Sequence, residues 1–241
     1  MKNTIKIDSK TTKMVAHRGL SGLERENTCR AFIAAGNREK YFGIETDVHI
    51  TADGKYVCIH DDNTGRVAEK CLFIKDSTFD EVRSVILTDT DGSKTRKDII
   101  VPTLEEYISI CKRYGKVSVL ELKCNFSVEQ VTEIIDIIKA EDYLEQTVFI
   151  SFLRDPLLIV RQLLPNQKIQ YLTGEFNEEI LEFMKTHKFD LDILFHSINE
   201  ENMKLLKDAG IEVNVWTVDN PEDAKRLISL GVDYITTNIL E

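Results

Sequence analysis

The chain has 241 residues, 42% of them hydrophobic and 30% charged, which is typical of a globular protein with a sizeable buried core. Its formal net charge of −10 disfavours nucleic acid as a partner, and no apolar run approaches the roughly 20 residues that a membrane span needs. The N-terminus lacks the apolar segment of a secretory signal and the five cysteines show no paired spacing, so we expect a cytoplasmic protein with reduced thiols and no stable membrane insertion.

Short β-branched or apolar runs alternate with amphipathic stretches along the chain. Eight of these runs are predicted strands: Met14–His17, Gly43–His49, Val117–Lys123, Val148–Phe152, Ile169–Thr173, Asp192–His196, Glu212–Val218 and Asp233–Thr237. Seven stretches between them have helical spacing: Thr28–Lys40, Leu104–Tyr114, Val128–Asp142, Pro156–Leu164, Glu178–His187, Glu200–Ala209 and Pro221–Leu230. Thr103 and Asn220 are predicted helix N-caps, and Gly115, Gly210 and Gly231 are predicted to follow helix ends.

This alternation predicts an α/β protein, a (β/α)8 TIM barrel formed by a single domain over residues 1–241. A doubly wound open sheet is the competing architecture, but eight repeats and the absence of a G-x-G-x-x-G turn favour closure. The sequence ends five residues after Thr236, so we expect the eighth helix to be missing or rudimentary.

One segment departs from the alternation after the second strand. The stretch "TADGKYVCIHDD" predicts a turn at Asp53-Gly54 and a short returning strand, Lys55–His60. Residues 62–100 then precede the helix at Leu104, and a segment of that length in a compact domain is usually functional. We predict a small insertion at approximately residues 62–100, on the barrel face where such enzymes place their chemistry.

Two histidines are candidates for acid–base chemistry. In "KMVAHRGLSG", His17 and Arg18 follow the first predicted strand, and Gly19 allows the backbone to turn there. His60 ends the returning strand, which would bring it to the same rim as His17. One ring would then take a proton while the other gives one to a leaving oxygen. A structural role for His17 and a surface position for His60 are the alternatives.

Carboxylates recur on the inward face of two predicted strands. In "GIETDVHI", Glu45 and Asp47 alternate with apolar residues, and in "VSVLELK", Glu121 and Lys123 do the same. Three carboxylates at neighbouring strand ends are hard oxygen ligands, which suit Mg²⁺ or Ca²⁺ rather than zinc. The alternative is a salt-bridge network in which Lys123 and Arg18 neutralise the acids.

Eight short motifs carry a family resemblance. "AHRG", "RENT", "GIETDV", "IHDD", "PTLEE", "LELK", "SF" and "VNVWTVD" occur in the order found in glycerophosphodiester phosphodiesterases, and the likeness extends from about residue 13 to 238. The chain therefore resembles that family. The resemblance implies a TIM barrel that hydrolyses a small-molecule glycerophosphodiester to sn-glycerol 3-phosphate and an alcohol, using one divalent cation, Mg²⁺ or Ca²⁺. This activity belongs to glycerol and lipid metabolism.

The resemblance also implies roles for the residues of the quoted motifs. The general acid and base would be His17 and His60. The cation would be held by Glu45, Asp47 and Glu121. The phosphate would be bound by Arg18 and Lys123, and the glycerol side would pack on Trp216. Support for the first histidine and its neighbours would come from Glu26 and Asn27. The family mechanism uses the substrate's 2-hydroxyl as the first nucleophile, giving a cyclic phosphate that water then opens.

Three features depart from the family pattern: Arg25 stands where proline is more common, the ending "ITTNILE" is short, and "NTGRVAEKCLF" matches poorly. Three alternative functions remain. A lysophospholipase D-type enzyme would act on lipid-tailed diesters, and its apolar groove would lie in the 62–100 segment, where "CLFI" is the only obvious apolar run. A retired barrel would bind a ligand without turnover. A Mg²⁺-dependent enolate enzyme, such as an aldolase, is the third.

Overall fold

Parallel strands close on themselves in the computed structural model, which describes residues 3–241. The strands in this part of the chain are β1 (Lys13–Ala16), β2 (Tyr41–Ile50), β3 (Tyr56–Cys58), β4 (Val117–Leu122), β5 (Thr147–Ser151), β6 (Ile169–Thr173), β7 (Asp190–Leu194), β8 (Val213–Trp216) and β9 (Tyr234–Thr237). All except β3 form the barrel, and β1 closes it by pairing in parallel with both β2 and β9. The predicted (β/α)8 TIM barrel is therefore confirmed, and the open-sheet alternative is wrong.

Helices surround this barrel in the order that the sequence predicts, with one additional short helix that was not predicted, within residues 62–100. Within residues 3–241 they are α1 (Cys29–Gly36), α2 (Phe79–Arg83), α3 (Leu104–Tyr114), α4 (Val128–Ala140), α5 (Arg154–Leu163), α6 (Glu178–His187), α7 (Glu200–Asp208) and α8 (Pro221–Leu230). None of these helices is long and apolar enough to cross a membrane. No helix follows β9 in the described chain, where Leu240 instead forms a bridge with Ile5.

Helix ends mostly follow the predicted capping chemistry. The Thr103 side chain accepts a hydrogen bond from the Glu106 backbone, and Gly115 ends the same helix in the left-handed region at φ 62°. The largest boundary error concerns α1, which ends at Gly36 instead of Lys40. Strand β2 begins earlier than predicted, since Tyr41 already pairs with Met14. The chain therefore turns between helix and strand within residues 37–40, and the helix ends before them.

Strand alternation divides the interior into two layers. Side chains such as Ile44, Val48, Leu120 and Leu122 are fully buried in the main core between the barrel and its helices. The opposite faces of the same strands point into the barrel, where Val119 belongs to a smaller apolar cluster. Burying each large aliphatic side chain contributes about 1.5–3 kcal/mol to the stability of the fold. Because a shift of one residue would expose these side chains, their burial fixes the register of β2 and β4. This register turns the acidic side chains of both strands inward.

Residues 62–100 form an excursion between β3 and α3. The excursion has an apolar cluster of its own, which includes Val67, Ile74 and Leu87. Arg25, from the loop before α1, attaches this segment to the barrel because its guanidinium donates hydrogen bonds to the backbone oxygens of Thr88 and Asp89. The segment therefore contacts the loop that follows β1.

Candidate active site

Three buried carboxylates meet at the carboxyl ends of β2 and β4. Glu45, Asp47 and Glu121 are 3%, 1% and 8% exposed, and each offers an oxygen within 4.8 Å of the others. Asp47 is aligned with Glu121 across the two strands. One Asp47 oxygen, Oδ1, is buried without a hydrogen-bond partner. An orphaned oxygen in a set of hard donors fits a divalent cation such as Mg²⁺ or Ca²⁺.

Two cationic side chains neutralise the acids in part. Lys123 Nζ donates to Glu121 Oε1 at 2.9 Å and lies 3.5 Å from Asp47 Oδ1. Arg18 Nε lies 3.6 Å from Asp47 Oδ2. The salt-bridge network, which the sequence offered as the alternative to a cation site, is thus present. Two cationic side chains nevertheless face three carboxylates. The ion pairs alone leave one carboxylate without a counter-charge.

The pKa values of the acids respond to this imbalance. Burial and the neighbouring Asp47 raise the pKa of Glu45 well above its usual value, and the same two causes raise the pKa of Glu121 to about 7. Burial opposes ionisation of Asp47 as well, but the charges of Lys123 and Arg18 outweigh it and lower the Asp47 pKa to about 2. Like charges in one dry site cannot all ionise without a further cation.

The "RENT" residues orient these groups without a hydrogen bond to the His17 side chain. Asn27 Nδ2 donates to Asp47 Oδ2 at 2.7 Å, while Thr46 donates to the Asn27 amide oxygen. Glu26 Oε1 accepts from Arg18 at 2.9 Å. The structure thus places Glu26 and Asn27 on the neighbours of the first histidine.

His17 is held by residues that sequence reasoning missed. Its Nδ1 lies 2.8 Å from Asn238 Oδ1, and the Asn238 amide nitrogen donates to Asp219 Oδ2 at 2.6 Å. Because Asp219 fixes which way the amide points, Asn238 presents an acceptor, and the hydrogen-bond network assigns the His17 proton to Nδ1. Burial and then the Arg18 charge lower the pKa of His17 to about 4. At neutral pH the ring is uncharged with Nε2 free to accept a proton.

His60 has a carboxylate partner instead. Its Nδ1 lies 2.6 Å from Asp61 Oδ1, and Arg66 Nε donates to the other Asp61 oxygen at 2.6 Å. The same Arg66 guanidinium donates both its terminal nitrogens to Glu26, each at 2.8 Å. Burial disfavours the ionised form of Glu26, but Arg66 and Arg18 outweigh it and lower the Glu26 pKa to about 2. Arg66 therefore links Asp61, the partner of His60, to Glu26, the partner of Arg18.

One cleft at the carboxyl end of the barrel gathers most of the predicted residues. It is lined by His17, Arg18, Glu45, His60, Glu121 and Trp216. Behind this lining, the buried His49 contacts the His60 backbone oxygen through Nε2 at 3.2 Å.

The cleft also has an apolar wall and a carboxyl that sequence reasoning missed. Phe152, which is 45% exposed, meets Trp216 edge to face with 5.6 Å between ring centroids. Asp192 on β7 lines the same cleft. Its signal was available, because Asp192 alternates with the apolar residues Leu191 and Ile193.

Comparison with known proteins gives a consistent result. Residues 17–241 match the model of the glycerophosphoryl diester phosphodiesterase family. A glycerophosphodiester phosphodiesterase of Caldanaerobacter subterraneus is 30% identical over 233 residues, covering 94% of each chain. A solved glycerophosphodiester phosphodiesterase from Parabacteroides distasonis is also 30% identical, with a TM-score of 0.76, covering 95% of this chain and 93% of that one. An Oleispira antarctica phosphodiesterase, solved with the product sn-glycerol 3-phosphate, shares the fold at a TM-score of 0.87 and 24% identity, with coverage of 97% and 96%.

Proposed function

The chain belongs to the glycerophosphoryl diester phosphodiesterase family, and on that premise we propose that it hydrolyses glycerophosphodiesters to sn-glycerol 3-phosphate and an alcohol. One observation carries the proposal. A single cleft is lined by Arg18, by Glu45 and Glu121 of the acidic cluster, and by two histidines whose partners differ in charge. Diester hydrolysis needs charge stabilisation at phosphorus, one base and one acid.

The phosphate end of the substrate would lie at the acidic cluster. We infer that Glu45, Asp47 and Glu121 hold a divalent cation, which when bound would neutralise charge on the phosphoryl oxygens. Arg18 and Lys123 stand beside the same carboxylates and would bind the phosphate directly. Arg18 is held for this by Glu26, and its backbone nitrogen donates to Glu45 Oε2 at 2.7 Å.

His17 has the character of a general base. Its ring is neutral at neutral pH, because burial and the adjacent Arg18 lower its pKa to about 4. Asn238 keeps the proton on Nδ1, so Nε2 can take the proton of the attacking oxygen as that oxygen bonds to phosphorus. In the family mechanism this oxygen is the substrate's 2-hydroxyl, and water later opens the resulting cyclic phosphate.

His60 has the character of a general acid. The Asp61 carboxylate accepts from its Nδ1 and can stabilise a ring that carries two protons, as an amide cannot. His60 would give a proton to the alcohol oxygen while the bond from phosphorus to that oxygen breaks. We also infer that residues 62–100 are an insertion within one barrel domain, since Arg66 from this segment holds Asp61 in place.

The glycerol moiety would pack against the apolar wall of the cleft, where Trp216 and Phe152 meet. The lipid-tailed alternative has weaker support. Its apolar run, Cys71–Ile74, contains the exposed Phe73, but none of these residues lines the cleft in the described chain.

The test measures choline release from two matched substrates, glycerophosphocholine and lysophosphatidylcholine, with Mg²⁺, Ca²⁺ or EDTA. We expect glycerophosphocholine to be hydrolysed with release of sn-glycerol 3-phosphate, and EDTA to abolish the reaction. His60→Asn should lower kcat by about two to four orders of magnitude, the usual contribution of a general acid. His187→Asn is the control, because that ring packs against Phe183 and Phe189 away from the cleft.

The outcomes separate the candidate functions. Full activity in EDTA, or in H60N, contradicts the mechanism. Choline release from lysophosphatidylcholine alone favours the lipid-tailed alternative. Binding of every diester without turnover under any metal condition favours a retired barrel.

A further inference from the structure

Asp192 is a buried carboxyl that the proposed mechanism does not use. It is 2% exposed and lies in the middle of β7, between Leu191 and Ile193, which are both fully buried in the outer core. Alternation along the strand therefore turns Asp192 into the barrel, where it lines the catalytic cleft.

The Asp192 side chain lacks a partner for one of its oxygens. Oδ1 is buried and receives no hydrogen bond from the described chain. Nearby inward-facing polar groups also bond to one another, since Asn214 Nδ2 donates to Gln170 at 3.3 Å and Thr236 donates to Asn214 Oδ1 at 3.0 Å, and Asn214 is the neighbour close enough to interact with the Asp192 side chain. A buried polar atom without a partner is costly, and such atoms mark places where a ligand completes the hydrogen bonding.

The position of Asp192 separates it from the phosphate end. Strand β7 lies opposite β2 in the barrel order, so Asp192 faces Glu45 and Asp47 across the cleft. It does not belong to the acidic cluster that could hold a cation. Its side of the cleft carries the wall formed by Trp216, Phe152 and Leu172. A group bound there has apolar surface for carbon atoms and one polar atom for a hydroxyl.

We propose that Asp192 is a substrate-binding residue that hydrogen-bonds the terminal hydroxyl of the glycerol moiety and makes the enzyme selective for diesters that carry it. This inference rests on the proposed function. The chemistry agrees, because burial and the charge of Glu121 raise the pKa of Asp192 well above its usual value. A protonated carboxyl both donates and accepts, as a hydroxyl requires, and does not repel the phosphate.

The test compares glycerophosphocholine with 2-hydroxyethyl phosphocholine, a diester that keeps the nucleophilic 2-hydroxyl and lacks the terminal one. Asp192→Leu removes the polar atoms at similar volume, and Asp192→Asn keeps a donor and an acceptor. We expect D192L to lower kcat/KM about tenfold for glycerophosphocholine and less than twofold for the diester without the terminal hydroxyl. D192N should retain most of the preference. If D192L does not fold, as judged by circular dichroism, D192A is compared by the same ratio.

A second measurement keeps the inference separate from the proposed function. Calorimetry compares the binding of sn-glycerol 3-phosphate with that of methyl phosphate, which lacks the hydroxyls, and requires no turnover. The wild-type protein should bind glycerol 3-phosphate more tightly than methyl phosphate. In D192L the ratio of the two dissociation constants should fall about tenfold. An equal loss for both ligands, or an unchanged ratio, overturns the role of Asp192. Absence of glycerophosphocholine hydrolysis by the wild type, with the binding preference intact, overturns the proposed function alone.

Discussion

Arg66 offers a sharp test of how the site is held together. Its guanidinium contacts the Asp61 partner of His60 and the Glu26 partner of Arg18 at 2.6–2.8 Å. Arg66→Met removes these hydrogen bonds and keeps most of the aliphatic stem. The chain offers a matched control in Arg96, which also joins two carboxylates, Glu24 and Asp89, at 2.7 and 2.9 Å without lining the cleft.

Burial sets the expected magnitudes. The Arg66 side chain is 45% exposed and that of Arg96 is 28% exposed, so R66M and R96M should each cost about 1 kcal/mol of unfolding free energy. The activities should diverge. A ring that loses its orienting partner reacts about 10 to 100 times more slowly, so R66M should lower kcat by that factor with KM changed less than threefold. R96M should keep kcat within about twofold.

The assay is the initial rate of sn-glycerol 3-phosphate release at saturating cation, with unfolding by urea measured on the same samples. Arg66→Lys adds a further reading, because a lysine restores the charge but cannot bridge Asp61 and Glu26 with a planar fork. R66K should recover stability and leave kcat low. Equal loss of kcat in R66M and R96M, or near-normal kcat in R66M, would refute the positioning role.

Two further predictions concern pH. Asn238→Asp places a carboxylate beside His17, so the pKa of His17 should rise from about 4. The acidic limb of the pH profile of kcat/KM should then move to higher pH. A limb that does not move contradicts the assignment of His17 as the base. In EDTA, the contribution of Glu121 to stability should fall as pH rises from about 4.5 to 7, by at most about 3 kcal/mol, because burial and Asp47 raise its folded-state pKa to about 7 and the folded protein holds a proton that the unfolded chain releases. Urea unfolding of the wild type and of Glu121→Gln at pH 5 and 8 isolates the effect. The stability of the wild type relative to the variant should fall over this range, and a relative stability that rises would be inconsistent with the assigned direction.

Local sequence patterns were sufficient for the barrel and for the acidic cluster. Glu45, Asp47 and Glu121 could be placed on inward faces because each alternates with apolar residues on one strand, and parallel neighbours then align them. The turn at Asp53-Gly54 likewise returned the chain toward the rim, where β3 pairs with the end of β2.

Contacts made by barrel closure were beyond local patterns. His17 and Asn238 are 221 positions apart, and they meet only because β1 pairs with β9. Arg66 and Glu26 are 40 positions apart and belong to different loops. Asp192 differs from these cases. The sequence predicts a strand that begins at Asp192, whereas β7 begins at Asp190, so the prediction places Asp192 at a strand end and not on the inward face within the strand.

The partners of the two histidines, rather than the histidines themselves, divide the chemistry between them. An imidazole can serve as acid or base, and both rings line the same cleft. His17 receives a neutral amide whose orientation is fixed by Asp219, which leaves the ring uncharged with a free Nε2. His60 receives a carboxylate that Arg66 fixes in turn. Because these partners come from distant parts of the chain, the asymmetry needed for diester cleavage exists only once the barrel has closed and residues 62–100 have packed onto it.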